Sequence, residues 1–441
     1  MLGYYLVLAA RSLRRSAGLT ALMMLTIGFG VAASMTTYAV FRGLSGDPLP
    51  GKSTRLFVPQ IDVWGPGYRA AREEPPDALT YTDAMALMHQ HRATRQSALY
   101  AISPSVMPAG AGRIRSPIQL NGYAVYSEFF PMLDVPFRYG SGWSADDDAQ
   151  RQPVAVISDR LNHQVFGGRD SVGQTIDIDK HDYRIVGVMR EWNPQPRFFD
   201  VKGGFYSVDG PDVFLPFQHS VAINLATAGW DDCRKGTSDP QSDFGALQRS
   251  ECIWLAYMVE LDDAKAVQAY RDYLDAYASA QQHIGRFHWA PNNRLRNLRE
   301  FLDYEHVIPS DTGVSLLAAQ GLLLVCLVNT IGLLLAKFLR RRGEIGVRRA
   351  LGASCAAVHA QFLVEAGVIG IGGGLLGLLF TAVGVLGIDQ VLPSAYAELA
   401  HVDVPLLCST LLLAVASTLL AGVYPAWRAS RIEPAWQLKI Q

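Results

Sequence analysis

Residues 313–336 read GVSLLAAQGLLLVCLVNTIGLLLA, a run of apolar and small residues that contains no charged side chain. A helix needs about 20 such residues to cross the hydrocarbon core of a membrane. A buried helix of a soluble protein is usually shorter and keeps a polar face. The run therefore predicts a membrane-spanning helix.

Three further runs have the same length and the same lack of charge, at residues 17–41, 366–388 and 404–423. The first run could instead be a signal peptide, but its apolar core exceeds the roughly 7–15 residues of such peptides. Charged residues are 18% of the chain, below the roughly 25% of soluble domains. We therefore expect four membrane-spanning helices and a domain of residues 42–312 between the first and the second.

Basic residues mark one end of every run, and they predict the orientation. They are Arg11, Arg14, Arg15, Lys337, Arg340, Arg341, Arg342, Arg348, Arg349, Arg428, Arg431 and Lys439. The loop 389–403 has no Lys or Arg. Since cytoplasmic loops carry the basic excess, we expect both termini, residues 337–365 and the tail 424–441 in the cytoplasm. Residues 42–312 and 389–403 would then lie on the other side of the membrane.

Residues 1–16 mix Tyr and Leu with arginines ahead of the first run. This mixture favours a helix that lies in the membrane interface, with its arginines toward anionic lipid headgroups. A plain basic flank is the alternative.

The domain of residues 42–312 is long enough to bury a core of its own. Apolar runs predict strands, polar turns predict a hairpin, and helical spacing predicts two helices. The strands are 55–60, 154–158 and 254–261, the hairpin is 175–178 with 183–188, and the helices are 80–91 and 262–277. The predicted fold class is thus an α-helical membrane protein with four transmembrane helices and a large α+β domain inserted after the first.

Residues 337–353, KFLRRRGEIGVRRALGA, leave the second run and then place apolar residues at near-helical spacing. A basic flank that only stops membrane transfer would not need the interleaved Ile, Val and Leu. An amphipathic helix that docks on a partner would need them.

Several stretches resemble one known family. RRRGEIGVRRALGAS (340–354), QFLVEAGVIGIGGGLLGLLF (361–380) and YPAWRASRIEPAWQLK (424–439) resemble the FtsX-like permease domain of MacB-type ABC transporters. Residues 152–189, QPVAVISDRLNHQVFGGRDSVGQTIDIDKHDYRIVGVM, resemble the periplasmic core domain of the same family.

The resemblance implies a permease subunit in the bacterial inner membrane that carries ATPase-driven motion to a two-lobed periplasmic domain, for export, efflux or extraction. It implies a second permease copy, identical or paralogous, a separate ATP-binding-cassette ATPase that binds ATP and Mg, and a periplasmic adaptor. This chain would then be no enzyme and would bind no cofactor itself. A FtsX-like regulator of a cell-wall hydrolase or a sensor kinase is the alternative.

The resemblance also assigns an ATPase-coupling helix near residues 343–354. Its residues would be Gly343, Glu344, Ile345, Arg348, Arg349, Leu351 and Gly352. The charged members would make polar contacts with the ATPase, and Ile345 and Leu351 would make apolar contacts.

Residues 46–53, GDPLPGKS, match a phosphate-binding loop in letters only. Such a loop follows a strand and opens a helix, whereas this one follows an apolar run and contains two prolines, which lack the N–H donors that phosphate needs. We see no catalytic or metal-ligating pattern elsewhere, and a net charge of −1 gives no reason to expect a nucleic-acid partner.

Two groups of residues remain. Gly370 with Gly374, and Gly373 with Gly377, are each spaced by four inside the third run, which predicts close packing against neighbouring helices. Cys233 and Cys252 lie in the part expected outside, where a disulfide is favoured over two free thiols or a weak metal site.

Overall fold

The computed structural model describes residues 2–66, 74–107, 117–207, 209–234, 243–307, 310–387 and 403–431. The chain forms a helical unit, Met1–Ser45 with Ile308–Gln441, and a sheet unit, Gly46–Val307. The expected loop 389–403, except for Asp403, and the tail beyond Arg431 lie outside the described residues.

The described part of the chain contains the following elements. The helices are α1 (Leu2–Arg15), α2 (Ala17–Ser45), α3 (Tyr81–Gln90), α4 (Phe129–Met132), α5 (Ala145–Ala149), α6 (Asp159–Phe166), α7 (Phe217–Ala222), α8 (Phe244–Arg249), α9 (Ala264–His283), α10 (Leu298–Tyr304), α11 (Ser310–Leu339), α12 (Arg342–Ala350), α13 (Cys355–Gly387) and α14 (Val404–Ser430). The strands are β1 (Leu56–Gln60), β2 (Arg95–Ile102), β3 (Ser105–Val106), β4 (Ile118–Gln119), β5 (Gly122–Val125), β6 (Phe137–Gly140), β7 (Val154–Ser158), β8 (Thr175–Ile178), β9 (His181–Met189), β10 (Val213–Pro216), β11 (Ala256–Glu260) and β12 (Arg294–Asn297).

Four helices of the helical unit, α2, α11, α13 and α14, are long and apolar enough to cross a membrane. The predicted fold class, four such helices with a large mixed domain inserted after the first, is confirmed. The helices also run past the uncharged stretches. α11 continues to Leu339 and α13 begins at Cys355, so that Lys337 and Glu365 belong to long helices rather than to a loop.

The sheet unit is organised by one twelve-stranded sheet in the order β12-β1-β11-β2-β5-β10-β7-β9-β8-β3-β4, with β6 added beside β9. Most neighbours are antiparallel, but β5 with β10 and β7 with β9 are parallel. β2 pairs through residues 95–99 with β11 and through residues 100–102 with β5. This single strand therefore joins the two halves of the sheet.

Strand alternation places two cores on opposite faces of the sheet. In β1, Phe57 contributes to one core, whereas Leu56 and Val58 contribute to the other. Successive side chains of a strand point to opposite faces, so each strand can feed both cores. Helix α9 closes the first core with Tyr270, Leu274 and Ala278. The first two of these lie in the helix expected over 262–277.

The β8–β9 hairpin shows why its turn could be read from the sequence. Asp179 and Lys180 both have positive φ, 50° and 66°, as a two-residue mirror-image turn requires. Strand β9 begins at His181, two residues earlier than expected. Polar residues beside a tight two-residue turn can therefore still pair as part of a strand.

Candidate functional site

Helix α12 begins at Arg342 and carries charges that suit its dipole. Glu344 lies in its first turn, and Arg348 and Arg349 lie in its last turn. The helix stops because Gly352 adopts φ +97°, a conformation that side chains with a Cβ disfavour. Ala353 then donates its N–H to the carbonyl of Arg348, 3.1 Å away, which satisfies the helix end.

The two apolar sides of α12 have different surroundings. Ile345 is 4% exposed and packs in the core of the helical unit with Phe338, Val358 and Phe362. Val347 and Leu351 are 62% and 83% exposed. Ile345 is therefore not available to a partner, contrary to the expectation, and Val347, which was not predicted, joins Leu351 on the outward face.

Glu344 and Arg348 of α12 are engaged within the chain. Glu344 pairs with Arg341 and with Arg348, each at 3.0 Å. Arg348 also donates to the side-chain carbonyl of Gln361 at 2.8 Å. The bond to Gln361 joins α12 to α13, whereas the resemblance had implied that Glu344 and Arg348 contact the ATPase.

A buried acid, Glu365 of α13, is the centre of a larger cluster. Its side chain is 1% exposed and lies 2.8 Å from the ammonium of Lys337, which is 2% exposed, and 3.2 Å from Arg341. Ser12 of α1 donates a hydrogen bond to it, and Lys337 donates to Thr20 of α2 at 3.1 Å. We call Ser12, Thr20, Lys337, Arg341 and Glu365 the charge cluster; it ties α1, α2, α11 and α13 together beside α12.

Sequence reasoning missed this cluster. Lys337 was read only as a basic residue that marks orientation, and Glu365 only as a polar residue before the next apolar run. The sequence did contain a signal for this ion pair. A single acid directly before one run and a single Lys directly after another can pair when the two helices are antiparallel neighbours. A buried charge needs such a partner.

The four predicted glycines of α13 lie on two different helix interfaces. A Cβ at Gly370 would meet Thr418 and Val415, and one at Gly374 would meet Leu411 and Ala414, all on α14. Gly373 and Gly377 face α2 instead, where a Cβ at Gly373 would lie 3.1 Å from Ile27. Gly28 of α2 approaches Gly373 and Gly377 in return. The spacing of four therefore serves two partners.

Cys233 and Cys252 are joined by a disulfide, with an S–S distance of 2.00 Å. The bond lies beside the isolated bridge between Asp232 and Ile253. Closing a loop of 19 residues in this way restricts the unfolded chain, a constraint of about 3 kcal/mol for loops of this size.

The stretch 46–53 is bound to its own domain rather than arranged around a phosphate. Lys52 pairs with Asp134 at 2.7 Å and donates to the carbonyl of Pro131 at 2.6 Å. Within the described ranges, no group of three or more His, Cys, Asp or Glu side chains is placed to hold a metal ion.

Glu305, near the end of the sheet unit, is a partly buried acid with a raised pKa. Burial and the nearby Asp77 raise its pKa to about 7, against the opposing effects of Lys202 and Arg296. Lys202 pairs with Asp77 at 2.9 Å and with Asp232 at 2.6 Å. The negative charge of Glu305 is therefore only weakly balanced by Lys202.

Changing Glu305 to Gln is expected to stabilise the sheet unit by about 1–2 kcal/mol above pH 7 and by little near pH 5. The folded pKa lies above the ordinary 4.5, so the native state binds the extra proton between pH 4.5 and 7. Stability is therefore lost as pH rises through that window. Thermal unfolding of the full chain at pH 5 and pH 8 measures this. Asp303→Asn, an exposed acid nearby, is the control; a pH-independent effect of Glu305→Gln would contradict the assignment.

Comparison with known proteins assigns both units. Residues 20–277 match the family profile of the MacB-like periplasmic core domain, and residues 316–434 match that of the FtsX-like permease C-terminal domain. The first match alone spans more than half of the chain.

Similar proteins include the macrolide export ATP-binding/permease protein MacB of Rhodospirillum rubrum, 25% identical over all of this chain and 60% of the relative. The pyoverdine export ATP-binding/permease protein PvdT of Pseudomonas syringae is 24% identical over 94% of this chain and 56% of the relative. The chain thus spans less than two thirds of the length of these relatives. The uncharacterized ABC transporter permease YvrN of Bacillus subtilis is 21% identical over 72% of this chain and 70% of the relative.

Among solved structures, the periplasmic region of MacB from Actinobacillus actinomycetemcomitans is similar, with 14% identity and a TM-score of 0.37 over 59% of this chain and 97% of that one. The order of apolar helix, sheet unit and three further apolar helices agrees with both profile matches. The chain is an integral membrane protein that belongs to the MacB/FtsX-type family of ABC transporter permeases.

Proposed function

We propose that this chain is the permease of an ATP-driven export or extraction machine, and that an ATP-binding-cassette ATPase docks on the outward face of α12. The ATPase binds ATP and Mg. The permease passes its motion through the helical unit to the sheet unit, which acts on the substrate in the periplasm.

The observation that carries this proposal is the uneven distribution of contacts around α12. Its inner face is held by Ile345 and by the hydrogen bond from Arg348 to Gln361 of α13, whereas Val347 and Leu351 stay largely exposed. Two exposed apolar side chains on a short basic helix, anchored from one side only, form a small docking surface of the helix-in-groove type.

The charge cluster supports the transmission of motion. Arg341 contacts both Glu344 of α12 and Glu365 of α13, and Glu365 is bound to α1 and α11 as well. A displacement of α12 that moves Arg341 would therefore act on several helices together, since separating Arg341 from the buried Glu365 weakens the compensation of a buried charge.

Orientation and further partners follow the sequence argument. The basic residues at the helix ends support an orientation with both termini and α12 in the cytoplasm and the sheet unit in the periplasm of a bacterial inner membrane. Tyr4 and Val7 of α1 are exposed, as are its arginines, which suits a helix lying on anionic lipid. A second permease copy and a periplasmic adaptor complete the proposed assembly.

An ATPase is expected to copurify with the full chain from its own host. Leu351→Asp is expected to reduce the ATP turnover of that purified complex by roughly tenfold or more. A carboxylate placed in an apolar contact is costly to desolvate. The measurement is ATP hydrolysis by the purified complex, with the ATPase subunit identified by mass spectrometry. Because Leu351 is 83% exposed, the fold of the permease should not change.

Val172→Asp, an exposed apolar position in the sheet unit, is the matched control. Full copurification and normal turnover with Leu351→Asp would refute the docking face. If the ATPase stays bound but a cell-wall hydrolase or a sensor kinase is recovered with the sheet unit in place of an adaptor, the regulatory alternative replaces export.

A further inference from the structure

The four uncharged runs contain two carboxamide side chains, Gln320 and Asn329, and both belong to α11. Asn329 is exposed on the surface of the helical unit, and its side chain makes no hydrogen bond to any residue that the structure describes. It lies seven residues before the end of the run at Ala336, a distance of about 10 Å along a helix. The Asn329 amide therefore faces the hydrocarbon core of the membrane, where a polar group without a partner is costly.

The residues around Asn329 form a continuous line along α11. Alternating spacings of four and three residues, the repeat by which paired helices meet, connect six positions that are all exposed. We call them the α11 seam: Ala318, Leu322, Val325, Asn329, Gly332 and Ala336. The side of α11 that packs within the chain is a different one, because Leu323 and Cys326 are buried where Gly30 of α2 approaches them. The seam is thus a helix-pairing surface that the described part of the chain leaves open.

Gln320 lies on another side of α11, because nine residues turn a helix by half a revolution relative to Asn329. The same repeat leads from Gln320 to Leu334, which is fully buried in the core of the helical unit. A second helix could not follow that line to its end. Asn329 is therefore the carboxamide of α11 that has a complete pairing surface around it.

A second copy of this chain is the partner that suits the seam. Two copies cross the membrane in the same direction, so a two-fold axis between them sets α11 parallel to its counterpart and each seam residue opposite itself. A carboxamide both donates and accepts hydrogen bonds, so Asn329 can pair with Asn329 of the partner subunit. The small residues Ala318, Gly332 and Ala336 let the two backbones approach closely enough for so short a side chain.

We propose that two copies of this chain pair in the membrane along the α11 seam, with a hydrogen bond between the two Asn329 side chains. A single Asn at a seam position fixes the register of two paired helices, because any shift along the axis leaves both amides without a partner. The pairing assigns a surface to the second permease copy of the proposed assembly. It does not depend on the docking of an ATPase on α12.

Oxidative cross-linking tests this pairing in membranes that contain the full chain. Val325 and Leu324 are neighbours of almost equal exposure, 64% and 62%, but only Val325 belongs to the seam. With copper–phenanthroline as the oxidant, Val325→Cys is expected to give roughly tenfold more covalent dimer on a non-reducing gel than Leu324→Cys. Both variants are made in a chain whose free thiols are removed by Cys326→Ala, Cys355→Ala and Cys408→Ala.

The role of Asn329 is tested by energy transfer between donor- and acceptor-labelled copies in vesicles as the lipid-to-protein ratio is raised. Asn329→Leu is expected to weaken the pairing roughly tenfold, and Asn329→Gln, which keeps a carboxamide, should weaken it less. Gln320→Leu makes the same change at the carboxamide off the seam and should pair like the wild type. Since the seam is exposed, these substitutions should leave the unfolding of separated copies in excess detergent unchanged, which distinguishes pairing from folding.

Three results would overturn the proposal. They are equal cross-linking of Val325→Cys and Leu324→Cys, no cross-linking of a folded Val325→Cys chain, and unchanged pairing of Asn329→Leu. Copurification of the ATPase is measured separately, so a failure of the seam leaves the docking face of α12 standing, and a failure of that face leaves the seam standing.

Discussion

Replacing Glu365 with Ala is expected to lower the free energy of unfolding of the helical unit by about 3–5 kcal/mol. The substitution leaves the Lys337 ammonium and part of the Arg341 guanidinium buried without their shared carboxylate. It also removes the acceptor for the Ser12 hydroxyl. Reversible unfolding of the full chain in mixed micelles, followed by circular dichroism, measures the effect.

Glu344→Ala is the matched control, because Glu344 also pairs with Arg341 but is about a third exposed and forms its two pairs within a few residues. Such pairs contribute only about 0.3–0.5 kcal/mol. Glu365→Gln should fall between the two, since the amide can still accept from Ser12. If both Glu365 variants are as stable as the wild type, the charge cluster does not stabilise the helical unit. The proposed role of the cluster in transmitting motion would then be refuted as well.

Gly370→Leu is expected to prevent α13 and α14 from packing, with a loss of about 3 kcal/mol or more and a strongly reduced yield of folded protein. A Cβ at Gly370 would already lie within 3.1 Å of the Val415 backbone, which cannot move aside as a flexible side chain could. The folded fraction in mixed micelles, measured by the same unfolding titration, checks this prediction.

Gly332→Leu on α11 provides the comparison, because no atom lies within 4 Å of the Cβ it would add. Its stability should match that of the wild type, and it adds the same apolar side chain to a similar helix. Equal behaviour of Gly332→Leu and Gly370→Leu would mean that α13 does not approach α14 as closely as described.

The sequence predicted the features that depend on local chemistry. The four apolar helices follow from uncharged runs, and the β8–β9 hairpin follows from a polar turn between alternating residues. The glycine spacing indicated close packing, but not that Gly370 and Gly373 would serve different neighbours. That distinction depends on which helices lie on either side of α13, which a linear pattern does not contain.

Tertiary contacts explain what the sequence reading missed. β2 and β5 were not predicted because their residues carry no clear alternation, being buried on both faces of the sheet. The pairing of Glu365 with Lys337 depends on how α11 and α13 pack beside each other, which no local pattern contains. For α12, periodicity placed Ile345 and Leu351 in one apolar set, and only the packing against Phe362 shows that they point to different surroundings.

The first and last strands of the sheet unit, β1 and β12, are hydrogen-bonded neighbours, with Phe57 opposite Asn297 and Gln60 opposite Arg294. The chain therefore enters and leaves the inserted domain at neighbouring positions. The insertion therefore links α2 to α11 as a short loop would. The folding of the inserted domain supplies the free energy that offsets the entropy of closing so long a loop. Insertions or deletions in the interior of the domain can then alter its surface while the helices keep their packing.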